Sequence, residues 1–165
     1  RSLVGSEMCI RDRARVVDRG IRESGMVDVE KLCIVPGEEV WMCFVDIYAL
    51  DYDGNLFDAA NLAAVCALKS ATIPGEQYGK GENTPLPITC TPISVTEVKV
   101  GNTLIVDPDY DEEQISSARL TVTTDDVGNF RAMQKGGCGS ITLDELSLCL
   151  DRAVEIGAEI RKIIG

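Results

Sequence analysis

Residues 43–64 read CFVDIYALDYDGNLFDAANLAA, and the change of pattern inside this stretch sets the fold class. From Glu39 to Leu50 the chain is almost continuously apolar and rich in β-formers: Val40, Trp41, Phe44, Val45, Ile47 and Tyr48. Such a run predicts a central strand covered on both faces. Asp53-Gly54 then turns the chain. Leu56–Ser70 has the alanine content of a helix able to pack close to a sheet.

Working outward, Ala14–Ser24 reads as an amphipathic helix. Ala14, Val17 and Ile21 share one face, Arg15, Arg19 and Arg22 another. Gly25 is placed to end it. Downstream, Pro74–Pro92 reads PGEQYGKGENTPLPITCTP, a Pro/Gly density that predicts a loop or linker and a domain boundary. Beyond it, Ile93–Lys99 and Thr103–Val106 flank Val100-Gly101-Asn102 as a hairpin, and Ala118–Thr124 pairs with Asn129–Gln134 across Asp125–Gly128. A last helix opens at the capping box Thr142-x-x-Glu145, with Leu143, Leu146, Leu150, Val154, Gly157 and Ile160 as its sheet-facing stripe. The class is α+β.

A chain of 165 residues can bury a core. Its net charge of −11 argues against a general nucleic-acid binder, which carries a basic excess to replace counterions on phosphates. Any contact with RNA must be local. No charge-free apolar run reaches membrane-spanning length, so no span is read and a soluble protein is expected. Seven cysteines stand with no histidine, and Cys9, Cys33, Cys43, Cys66, Cys90, Cys138 and Cys149 form no CxxC pair. Neither a zinc site nor any other cofactor is expected. Cys43, Cys66 and Cys149, among apolar neighbours, read as reduced packing residues in a reducing cytoplasm.

Several segments in a fixed order carry a specific resemblance: ARVVDRGIRESG (14–25), residues 43–64, PLPITCTPISVTEVKVGNTLIVDPDYDEE (85–113), ARLTVTTDDVGNFRAMQKGGCGS (118–140) and the closing helix. Together they resemble a non-catalytic branch of the RNase PH superfamily, the archaeal exosome ring subunits that partner a catalytic subunit without cleaving RNA. The resemblance implies an RNase PH-like α+β fold. A truncated first domain of the ribosomal protein S5 domain 2-like kind occupies 14–74, a linker 75–92, and a ββββα second domain 93–165. Residues 1–13, RSLVGSEMCIRDR, lie outside this pattern. They resemble translated sequencing-adapter sequence, so the family's opening portion is expected to be missing.

The resemblance also aligns functional positions. Active relatives follow the Asp-Gly turn with Gly-Ser/Thr-Arg, where helix-start amides, a hydroxyl and a guanidinium hold the attacking phosphate. Asn55, Leu56 and Phe57 stand at those three places. In the ARLTVT strand, Arg119 replaces an acidic residue used for acid/base work or metal positioning. Arginine stays protonated and accepts no hydrogen bond, so it cannot substitute. A salt bridge is the commoner fate of such a residue, a contact to RNA or a neighbouring subunit the alternative. The segment matching Arg15–Arg22 supplies arginines to the RNA path in the resembled subunits, so Arg15, Arg19 and Arg22 are the candidate RNA-binding residues. Implied partners are the catalytic RNase PH-type subunit in a hetero-oligomeric ring, RNA-binding cap subunits and single-stranded RNA, with no membrane.

Weaker patterns resolve to structure. Asp51-x-Asp53-x-Asn55 begins like a calcium loop, but Leu56 and Leu62 stand where glycine and glutamate are needed. The acids of Asp107–Glu113 read as a solvated loop. Gly136-Gly137-Cys138-Gly139 could cradle a phosphate but lacks a following lysine in P-loop spacing, so tight packing is the reading. Two other functions stay open: an active phosphorolytic 3′-to-5′ exoribonuclease, opposed by Asn55, Leu56, Phe57 and Arg119, and an α+β interaction module with no RNA role.

Overall fold

The computed structural model describes residues 4–165, with side chains from Ala14 onward. The expectation that residues 1–13 stand outside the family pattern falls on a segment of which residues 1–3 are not described and residues 4–13 are described as backbone alone.

Helix α1 spans Val4–Ser24, beginning ten residues before the helix predicted over Ala14–Ser24. It ends as predicted at Gly25, whose φ of 67° suits glycine. Gly25 N donates to Arg22 O at 3.1 Å and Met26 N to Ile21 O at 3.2 Å, the double bond of a Schellman ending. The buried face differs from the predicted one. Val16, Val17, Gly20 and Ser24 are buried and Ile21 partly so, while Ala14 is exposed. Strands β1 (Cys33–Val35) and β2 (Glu39–Val40) form a short antiparallel ribbon. Helix α2 spans Leu56–Ser70, with Phe57, Ala60, Asn61, Ala64, Val65 and Leu68 buried.

The central strand predicted over Glu39–Leu50 does not form beyond Val40. Residues 41–49 carry no regular structure, and Phe44 is 78 %, Tyr48 82 % and Leu50 97 % exposed. The local sequence favours β, but a strand needs neighbours for its amides and covers for its faces, and the described residues supply neither. Cys43 on this strip and Cys66 on the outer side of α2 are exposed, so of the three predicted packing cysteines only Cys149 is buried.

The Pro/Gly-rich stretch is tied down rather than loose. Strand β3 (Thr72–Ile73) pairs with β4 (Thr84–Pro85), Val27 bridges Ile88, and Leu86 enters a core with Met26, Leu32, Val65 and Leu68.

Strands β5 (Ile93–Val100), β6 (Thr103–Val106), β7 (Ala118–Thr124) and β8 (Phe130–Gly136) form one antiparallel sheet in the order β6-β5-β7-β8. Between β6 and β7, Asp107–Glu113 is not the predicted loop. Tyr110–Ile115 form helix α3, opened by a capping box between Asp109 and Glu112.

Alternation along the strands gives the sheet two unlike faces. Val95, Leu120 and Val122 pack on Cys149 and Ala153 of helix α4 (Leu143–Ile164). On the opposite face, toward α1 and α2, stand Ser94, Thr96, Thr121 and Thr123, buried with Asn61. The predicted cap of α4 is present: Thr142 Oγ1 accepts from Glu145 N at 3.2 Å and Glu145 Oε2 from Thr142 N at 2.8 Å. Leu143, placed on its predicted stripe, is instead 82 % exposed, because the helix meets the sheet along Cys149, Ala153 and Gly157.

Candidate functional site

The turn into α2 is built by close backbone approach. Gly54 lies at φ 103° and bridges Asp109, and a Cβ there would collide with Pro108 O. Asn55, at φ 40°, is the N-cap of α2 and only 5 % exposed. Asparagine tolerates this left-handed conformation better than most residues.

Carboxylates surround Asn55. Its Nδ2 donates to Asp58 Oδ2 at 2.9 Å and to Asp107 Oδ1 at 2.6 Å, and its backbone N–H donates to Glu113 Oε1 at 3.1 Å. The Tyr52 hydroxyl donates to Glu113 Oε2. Asp58 reaches the sheet, accepting from Thr96 N and Thr96 Oγ1, each at 2.7 Å. Its pKa is pushed up to about 6: desolvation raises it, the Asn55 and Thr96 bonds oppose, and the Asp107 charge adds to the rise. The start of α2 is thus ringed by carboxylates, a charge that repels a further anion.

Phe57 and Arg119, 62 positions apart, meet here. Phe57 is 2 % exposed and the Arg119 guanidinium carbon lies 4.0 Å from the centre of its ring. Phe57 presents its ring face beside β7, so the Arg119 guanidinium stacks on it. Leu56 is partly buried and offers neither hydroxyl nor charge.

Arg15, Arg19 and Arg22 are all exposed on α1. Arg22 binds Asp18 at 2.7 Å, whereas Arg15 and Arg19 have no ion-pair partner among the described residues. The Gly136–Gly139 segment is committed to packing, with Gly139 N donating to Ser117 O at 2.7 Å. No group of three or more Cys, Asp or Glu among the described residues is arranged to hold a metal. No helix there is long and apolar enough to cross a membrane.

Sequence reading missed Tyr52, Asp107 and Glu113 as members of this cluster. One signal was available, the Asp109-x-x-Glu112 capping box, which has the same form as the box read at Thr142.

An α+β chain with a helix-start turn packed on a four-stranded, helix-backed sheet defines a class of two-domain protein. Models of the 3′ exoribonuclease family match it twice, domain 1 over residues 6–74 and domain 2 over residues 90–156. The chain belongs to this RNase PH family. It is 50 % identical over 149 residues to an exosome complex component Rrp42 of Thermoplasma acidophilum, covering 90 % of this chain and 57 % of that protein. Among solved structures, it is similar to a chain of an archaeal exosome core, with TM-score 0.92 and 45 % identity over 99 % of this chain and 66 % of that one. A chain of the Archaeoglobus fulgidus exosome with RNA bound to the active site gives TM-score 0.90 and 45 % identity, over 93 % and 61 %. The chain thus spans a little over half the length of the curated relative.

Proposed function

We propose that this chain belongs to a non-catalytic, RNA-contacting subunit of an exosome ring, which supports 3′-to-5′ phosphorolysis by a catalytic partner. The names of its relatives, an exosome component and exosome cores, one with RNA in its active site, supply the assembly and the substrate class. Cytoplasmic location, RNA-binding cap partners and a division into 14–74, 75–92 and 93–165 complete the reading. The observation that carries the silence of this subunit is the turn at Asn55. Its amide and side chain already hold three carboxylates, and the positions for a hydroxyl and a guanidinium are Leu56 and the Arg119-stacked Phe57. An attacking phosphate would meet negative charge where it needs donors.

Contact with RNA falls to Arg15 and Arg19, exposed cations suited to bidentate phosphate binding. Arg22, drawn to Asp18, contributes less. The test uses a ring rebuilt from the intact parent and its catalytic partner. Replacing Arg15 and Arg19 with Ala is expected to weaken single-stranded RNA binding and reduce its salt slope by roughly 0.7 per lost phosphate contact. The chain alone, given RNA and inorganic phosphate, should release no nucleoside diphosphates. Release of them without a partner, or an unchanged slope in the ring, would refute the corresponding half of the reading.

A further inference from the structure

Helix α1 presents a basic strip edged by acids. At about 100° per residue, Arg15, Arg19 and Arg22 lie within roughly 60° of one another around the axis. Asp18 flanks the strip beside Arg22 and Glu23 flanks it beside Arg19, all of them exposed. Val16, Val17, Gly20 and Ser24 fill the opposite, buried side. The two acids are not equivalent. Asp18 Oδ2 lies 2.7 Å from Arg22 Nη2, one turn further along, the order in which a carboxylate and a cation pair best on a helix. Glu23 has no ion-pair partner among the described residues.

We propose that Asp18 limits the grip of α1 on single-stranded RNA by withholding the Arg22 guanidinium from the phosphate backbone. The inference rests on the reading that this helix contacts RNA. Arg15 and Arg19 are then the phosphate contacts of the strip, and Arg22 is a third cation already occupied.

Two anions compete for one guanidinium. A phosphate and a carboxylate each offer two oxygens to the fork, so Arg22 satisfies the same donors with either. Moving it to RNA frees Asp18 as a bare carboxylate at the edge of a polyanion, which opposes the transfer. The pair is exposed, its side chains 70 % and 54 % accessible, so its own strength is small and screened by salt. Asp18 thus sets a modest limit and does not block binding. Its removal leaves three unopposed guanidiniums on about two turns of helix.

A ring rebuilt from the intact parent and its catalytic partner, titrated with single-stranded RNA over a range of salt, tests the limit. Asp18→Asn, neutral and nearly isosteric, should tighten binding roughly two- to fivefold, the scale of one exposed ion pair, and steepen the salt slope by roughly 0.7. Asp18→Ala should do the same. Adding Arg22→Ala to Asp18→Asn should abolish the gain. A ring with Arg15→Ala and Arg19→Ala, run in parallel, tests the underlying reading, and wild-type binding there would end the RNA role of α1 itself. If that ring binds weakly but Asp18→Asn leaves affinity and slope unchanged, Asp18 sets no limit. A gain that survives Arg22→Ala would be bare charge repulsion and would equally overturn the withholding of Arg22.

Discussion

Asp125, at the β7–β8 turn, shows how one side chain can organise a local structure. Only 2 % exposed, it accepts from Val127 N at 3.0 Å, Asn129 N at 2.8 Å, Asn129 Nδ2 at 3.0 Å and Arg131 Nε at 2.8 Å, and pairs with Arg131 Nη2 at 2.6 Å. Burial works against its charge, but the bonds from Asn129, Arg131 and Val127 outweigh it and hold the carboxyl down to about 2. A depressed folded value means the stabilisation is complete above about 4 and is lost as pH falls from there toward 2. Asp125→Ala should cost about 2–3 kcal/mol at pH 7, as hydrogen bonds to a charged group are lost together, and should cost less at pH 2. Paired urea titrations at the two pH values check both claims; an equal loss at each would remove the charge from the explanation. From sequence, Asp125–Gly128 was legible as a turn but not as this network, because Arg131 reaches Asp125 only after β8 has paired with β7.

Elements were most legible where their stop signals are local. The end of α1 at Gly25 and the start of α4 at Thr142 follow from capping chemistry within a few residues, and α2 from its alanine content after the Asp53-Gly54 turn. Thr142→Ala should therefore lower stability by about 1 kcal/mol, the usual worth of an N-cap hydroxyl, and fray the first turn of α4. Thr142→Ser should retain nearly all of it, and thermal melts of the two variants distinguish capping from a packing effect of the methyl group. Helix α3 was hidden because its acid-rich sequence resembles a solvated loop. It forms because Asp109 and Glu112 cap it, negative charge suits a helix start, and Glu113 docks on Tyr52 and Asn55.

At the scale of the whole molecule, two regions differ in how completely they bury what they must. Helix α4 and the four-stranded sheet enclose an aliphatic core, whereas residues 41–50 expose Met42, Phe44, Tyr48 and Leu50 beside a cleft of about 850 Å³ lined by α1, α2 and the strip itself. Unpaired, apolar, β-prone segments are templates for association. Hydrogen exchange should accordingly find the amides of Val45–Leu50 open on the shortest timescale while those of Cys149–Ile160 exchange only through larger openings. Equal protection of the two in a monodisperse monomer would mean that the strip is paired after all. The same imbalance predicts that the isolated chain associates more as its concentration rises, measurable by sedimentation.

What the sequence by itself determined was everything governed by neighbours along the chain: the α+β class, the hairpin β5–β6, the β7–β8 pairing, the stop of α1 at Gly25 and the cap at Thr142. The tertiary structure alone decided which of these features meet. It brought Phe57 under Arg119, gathered Asp58, Asp107 and Glu113 around Asn55, and left the strongest β-former run without a partner. The reason is physical: a helix cap is closed by atoms two or three residues away, but a strand between two strands, a cation on a ring and a carboxylate with a shifted proton depend on groups that folding brings from far along the chain.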